Sequence, residues 1–169
     1  MSGLASLSHS RVLIALFLGL TLAGCASKKN QLPNNVGDLG LTANGAVPGS
    51  LQDFTQNVGD IVYFDTDSSV IRGDAANILV KQVAWLNQYP DKIITIEGHA
   101  DERGTREYNL ALGARRAAAT RDYLISQGLT SARIKTLSLG KERPVAVCDD
   151  ISCWSQNRRA QTKLLGVNS

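Results

Sequence analysis

From Asp60 onward the chain alternates short β-branched runs with longer stretches of helical period, and that alternation restricts it to a sheet with helices laid against it. Asp60-Ile61-Val62-Tyr63-Phe64 is a compact apolar run between polar turn residues, which predicts a strand. Ala75, Leu79, Val83 and Leu86 then recur at helical spacing, with Asp74 placed to cap the start and Pro90 to stop the helix. Lys92 to Glu97, carrying Ile93, Ile94, Thr95 and Ile96, predicts an interior strand. The longest element follows. Thr105 and Glu107 supply an oxygen and a negative charge near its start, an alanine-rich run favours it, and Gly128 after Gln127 offers the stop. Arg133 to Leu139 predicts a third strand and Arg158 to Val167 a fourth, with a short turn of helix over Ser152 to Gln156 before it. The expected fold is an α/β (α+β) sandwich, with helices packed against one sheet.

Composition divides the chain before that domain begins. Val58 to Ser169 has the size of a single domain able to bury one core. From Ala26 to Gln56 the sequence holds Pro33 and Pro48 among glycines and asparagines and shows neither a helical nor a strand period. Such a segment buries too little apolar surface to stay folded, so residues 25–57 are expected to form a flexible linker. At full stretch it would reach roughly 100 Å. The formal net charge of +3 is too mild to argue for nucleic acid, and aromatics make up only 5% of the chain, with no basic stripe interleaved among them. No internal repeat of 20 to 50 residues occurs, which removes solenoids.

The amino-terminal segment carries its own signal. Arg11 precedes the apolar run Val12 to Ala23, no acid occurs before Cys25, and small residues flank the break, as in a secretory signal peptide over residues 1–24. The run is too short to cross a bilayer, which takes about 20 apolar residues. Leu22-Ala23-Gly24-Cys25 resembles the lipobox of bacterial lipoproteins. That resemblance implies cleavage before Cys25, a thioether-linked diacylglyceryl group on it and acylation of the new amino terminus. Two or more acyl chains hold a protein firmly to its membrane. Ala26 stands where an Asp would, in many Gram-negative lipoproteins, mark retention in the inner membrane, so the outer membrane is the expected anchor. With Cys25 assigned to lipid, Cys148 and Cys153 remain as an even pair in an oxidising compartment. That favours a disulfide over two free thiols. A zinc site there would lack ligands, because His99 is the only histidine beyond the signal.

The stretch Glu97-Gly98-His99-Ala100-Asp101-Glu102-Arg103-Gly104-Thr105 places charged groups on a glycine-flanked loop between a strand and a helix, a usual location for binding residues. On the helix, Asn109, Leu112 and Arg116 are spaced by three and four and project from one face. If that face opens beside the loop, Asp101 and Arg116 can address one small ligand together. A carboxylate suits an ammonium and a guanidinium clasps a carboxylate, so the pair suits a zwitterion. Blander readings stand beside this one: Asp101 could cap the helix or pair with Arg103, and Arg116 could be one more solvated cation beside Arg115 and Arg121. His99 lacks a partner nucleophile and reads as a polar structural contact. Asp65 with Asp67, and Asp149 with Asp150, read as exposed neighbours and not as an acid/base pair. No phosphate loop, Gly-x-Ser-x-Gly or His-Glu-x-x-His motif occurs.

The same loop, followed by Glu107-Tyr108-Asn109, Leu112-Gly113, Arg115-Arg116-Ala117 and Gln156-Asn157-Arg158-Arg159-Ala160, resembles the OmpA-like peptidoglycan-binding family. The match runs from Val58 to Leu165 and takes in Tyr63-Phe64-Asp65. It implies a βαβαβ(α)β order on a mixed four-stranded sheet over residues 58–169. It also implies non-covalent binding of diaminopimelate in wall stem peptides, with no cofactor and no catalysis. By position, Asp101 would take the diaminopimelate ammonium and Arg116 its carboxylate, while Asp67, Asn109 and Leu112 would line the pocket. The family further implies contact with TolB and TolA, in a system tying the outer membrane to the wall during division. Gly113 departs from the Ser often found there and Thr120 from Val, with little effect expected. A wall-modifying lipoprotein enzyme is the principal rival, although no nucleophile or metal cluster supports it. A flagellar stator subunit would need a membrane helix that this chain lacks.

Overall fold

The computed structural model describes residues 45–166. The signal segment, Cys25 and the linker up to residue 44 lie outside the described residues. Four strands, β1 (Ile61–Tyr63), β2 (Ile94–His99), β3 (Ile134–Gly140) and β4 (Arg159–Leu164), form one sheet in the order β1-β4-β2-β3. β4 runs antiparallel to β1 and to β2, while β2 and β3 are parallel, so the sheet is mixed. The helices are α1 (Leu51–Asp53), α2 (Gly73–Gln88), α3 (Arg106–Ser126) and α4 (Ile151–Asn157). α3 is the crossover that parallel β2 and β3 require.

Strand pleating explains which face is covered. Ile94 and Ile96 of β2, Val62 of β1 and Ala160 and Leu164 of β4 point to the helices and are buried with Leu79, Leu86, Ala117 and Leu124. Polar groups inside this layer are paired. Gln82 donates to the Gly59 carbonyl at 2.7 Å and accepts from Thr162 Oγ1 at 2.9 Å. Arg133 ties down the end of α2 and the turn after it, its guanidinium donating to the Leu86, Tyr89 and Lys92 carbonyls at 2.9 Å each.

Two expectations need correction. The linker was expected to run to residue 57, but α1 continues into a π-helical turn, Phe54–Val58, and this segment packs on the domain. Phe54 is fully buried, with its ring 4.8 Å from that of Trp85. Asp53 accepts from Trp85 Nε1 at 2.8 Å, Asn57 Nδ2 at 2.8 Å and the Gly49 backbone at 2.9 Å. Phe54 and the multiply bonded Asp53, with Leu51 and Val58 packed against the core, hold a segment too short to show a period. Asp74, expected as a cap, lies in the first turn of α2 instead, and its carboxylate accepts from the Arg72 guanidinium at 2.9 and 3.1 Å.

α3 approaches β2 closely because both carry glycine at the crossing. A Cβ on Gly98 would lie 1.9 Å from the Gly113 carbonyl oxygen. One on Gly113 would lie 2.5 Å from Ser138 Oγ and 2.7 Å from the Gly98 oxygen. Gly113 is therefore not a neutral departure: the Ser common at that position has no room here unless the helix moves outward.

Candidate functional site

The close seating of α3 brings its first turns over the end of β2. Thr105 caps the helix by accepting from the Tyr108 backbone at 3.2 Å. The loop between β2 and α3 is held on two sides: Lys141 Nζ donates to the Glu102 and Gly104 carbonyls at 3.0 and 2.6 Å, and Asn109 Nδ2 to the Arg103 carbonyl at 2.7 Å. Opposite lies the loop after β1. There Asp67 adopts φ 54°, left-handed backbone that Asp tolerates better than most residues, and its carboxylate accepts from the Tyr108 hydroxyl.

Between these loops lies a cleft of about 360 Å³ lined by Thr66, Asp67, Asp101, Arg103, Gly104, Tyr108, Asn109, Leu112 and Arg116. All five residues singled out for ligand contact, Asp67, Asp101, Asn109, Leu112 and Arg116, are brought together in it.

Arg116 is fully buried, so it is not a solvated cation. Its Nε donates to the Ser68 carbonyl at 2.8 Å, Nη1 to His99 at 2.8 Å and Nη2 to Asp65 at 3.0 Å. A guanidinium has five N–H donors, so two remain beyond these three. Burial pushes its pKa down to about 10 against the pull of Asp101, which leaves it charged at neutral pH.

Asp101 is held by two guanidiniums, Arg103 at 2.7 Å and Arg158 at 3.3 Å. Burial pushes its carboxyl up, but Arg103 and then Arg158 outweigh that and leave it below the usual carboxylate range. The helix cap is Thr105, so of the two blander readings of Asp101 the pairing with Arg103 is the one present.

Arg158 is the residue that sequence reasoning missed. It is buried and its Nε also donates to the Phe64 carbonyl at 3.2 Å. The doublet Arg158-Arg159 was visible at the start of β4, where alternation sends neighbours to opposite faces. Arg103 was weighed only as an ion-pair partner of Asp101, and Tyr108 was quoted in the motif without a role.

Other candidates fall away from the cleft. His99 is buried, with neither ring nitrogen hydrogen-bonded, and its pKa is lowered to about 4 by burial and then by Arg159, Lys163 and Arg143. Asp150 caps α4 by accepting from the Ser152 backbone at 2.7 Å, and Asp65 pairs with Arg72 at 3.2 Å. Among the described residues no group of three or more His, Cys, Asp or Glu side chains could hold a metal, and no helix is long and apolar enough to cross a membrane. Cys148 and Cys153 are joined as a disulfide, with Cα atoms 5.6 Å apart. It closes the turn into α4, whose Trp154 donates its indole N–H to the Glu102 carboxylate and lies under the Arg103 guanidinium at 4.1 Å.

A model of the OmpA family matches residues 63–158, and a peptidoglycan-associated lipoprotein of Mesorhizobium japonicum is 65% identical over 170 aligned residues, covering 100% of both chains. The chain belongs to the peptidoglycan-associated lipoproteins of the OmpA family. The crystal structure of the peptidoglycan-associated lipoprotein from Burkholderia pseudomallei superposes with a TM-score of 0.64 at 40% identity, covering 67% of this chain and 98% of that one. The C-terminal domain of Helicobacter pylori MotB, at 21% identity and a TM-score of 0.58 over 62% of this chain and 83% of that one, shares the OmpA-like fold alone.

Proposed function

We propose that the cleft binds the zwitterionic end of diaminopimelate in peptidoglycan stem peptides, Asp101 taking the ammonium and Arg116 the carboxylate. The observation that carries this reading is a fully buried guanidinium and a charged carboxylate lining one cleft. Asp67 and Asp101 balance Arg103 and Arg116 along its wall, which suits a ligand that carries both signs. Asn109 and Leu112 complete the wall, one polar and one apolar. Family membership makes the protein a binding lipoprotein and not an enzyme. Its name in the relatives supports peptidoglycan as the partner. We extend the reading to acylation at Cys25, an outer-membrane anchor with the domain in the periplasm, and contact with TolB and TolA in the system that draws the outer membrane inward at division.

Two charge-assisted contacts contribute about 1.5 to 3 kcal/mol each before ordering costs, so a single site binds modestly. Many anchored copies on a polymer of repeated stem peptides hold together far more tightly.

The test is sedimentation with purified sacculi. Asp101→Asn keeps the shape of the acid without its charge, and is expected to leave the full chain in the supernatant with unchanged circular dichroism. Arg116→Lys keeps a charge but not the fork, and is expected to do the same. Co-sedimentation of a folded Asp101→Asn protein would refute the assignment. Release of soluble muropeptides by the unaltered chain would favour the enzymatic rival.

A further inference from the structure

Asp101 already has its full complement of donors within the protein. Its Oδ1 accepts from the Arg103 backbone N–H and from Arg103 Nε, each at 3.3 Å. Its Oδ2 accepts from Arg103 Nη2 at 2.7 Å and from Arg158 Nη1 at 3.3 Å. A carboxylate offers about four lone-pair sites, so an ammonium reaches Asp101 only by displacing a donor.

The two guanidiniums differ in how easily they leave. The Arg158 side chain is 8% exposed and is also bonded to the Phe64 carbonyl. The Arg103 side chain is 41% exposed and lies against the Trp154 ring. We propose that Arg103 is a displaceable latch on Asp101: the ligand ammonium takes its place, and the freed guanidinium keeps only the contact it already makes with the face of Trp154, beside Glu102. This rests on the cleft assignment made above. The exchange replaces one cation by another at the same carboxylate, so no buried charge is left unpaired at any stage. Trp154 is then a positioning residue. Its indole is fixed by the hydrogen bond to Glu102 and by the disulfide-closed turn that leads into α4. The latch also keeps Asp101 ionised and bonded when the wall is out of reach.

Calorimetric titration of the full chain in detergent micelles with a diaminopimelate-containing muropeptide reads the exchange. Arg103→Gln and Arg103→Ala remove the competitor, and each is expected to bind about fivefold tighter than the unaltered chain, the scale of a half-exposed ion pair. Trp154→Ala is expected to weaken binding about threefold in the unaltered chain and to change nothing when combined with Arg103→Gln. Equal or weaker binding by either Arg103 variant overturns the latch. Equal losses from Trp154→Ala in both backgrounds overturn the role given to the indole. Failure of the unaltered chain to bind at all overturns the cleft assignment, and the latch with it.

Discussion

Arg116 heads the fully buried side chains by size, and its neighbours explain how a charge persists there. Three backbone carbonyls take its donors and the ring of Phe64 lies 5.3 Å from its guanidinium carbon, so desolvation is offset by fixed dipoles and a π face. His99 is the opposite case, buried with no hydrogen bond to either ring nitrogen, its nearest carboxylate Glu97 at 3.9 Å, and held neutral. Its folded pKa of about 4 lies below the ordinary 6.5, so between those values the unfolded chain binds a proton that the folded one refuses. Stability is then full above pH 6.5 and falls as pH drops towards 4, by about 3 kcal/mol. His99→Leu is expected to flatten that part of the curve of denaturation midpoint against pH; an unchanged slope would show that another group titrates. The spacing of Asn109, Leu112 and Arg116 made their shared face legible, because helical geometry is local. Arg158 was not legible as a partner of Asp101, since only the tertiary pairing of β4 with β2 brings residues 57 apart in sequence together.

At the scale of elements, the helix α3 and the sheet meet through the glycine pair, and substitution there tests the packing directly. Gly98→Ala puts a methyl 1.9 Å from a backbone oxygen that cannot rotate away. It is expected to destabilise by about 3 kcal/mol in urea unfolding. Gly73→Ala, at the start of α2 where a Cβ meets nothing within 4 Å, is expected to stabilise by about 0.5 kcal/mol. Equal effects of the two would sink the close-approach argument. The strands and long helices were readable from periodicity and stop signals to within about three residues, the largest miss being β4, expected to run to Val167 and ending at Leu164, and Thr105 capped α3 as its chemistry suggests. The turn Leu51–Val58 was unreadable, because its stability comes from Phe54 and Asp53 meeting Trp85, far along the chain. The place of β4 between β1 and β2 was equally hidden, since strand order depends on pairing and not on local sequence.

At the scale of the whole molecule, the proposed function puts a lipid anchor at Cys25 and a wall-binding domain on one chain. Cys25→Ser removes the site of acylation and is expected to move the exported protein from the membrane to the soluble fraction. An unchanged membrane fraction would exclude lipid as the anchor. A domain pinned to the wall and pulled from its amino terminus carries mechanical load, and the segment ahead of β1 decides where that load enters. Force arriving at residue 45 meets Phe54 and the Asp53–Trp85 bond before it meets the sheet. The turn therefore stands first in the path of any tug, ahead of the strands and the cleft they carry.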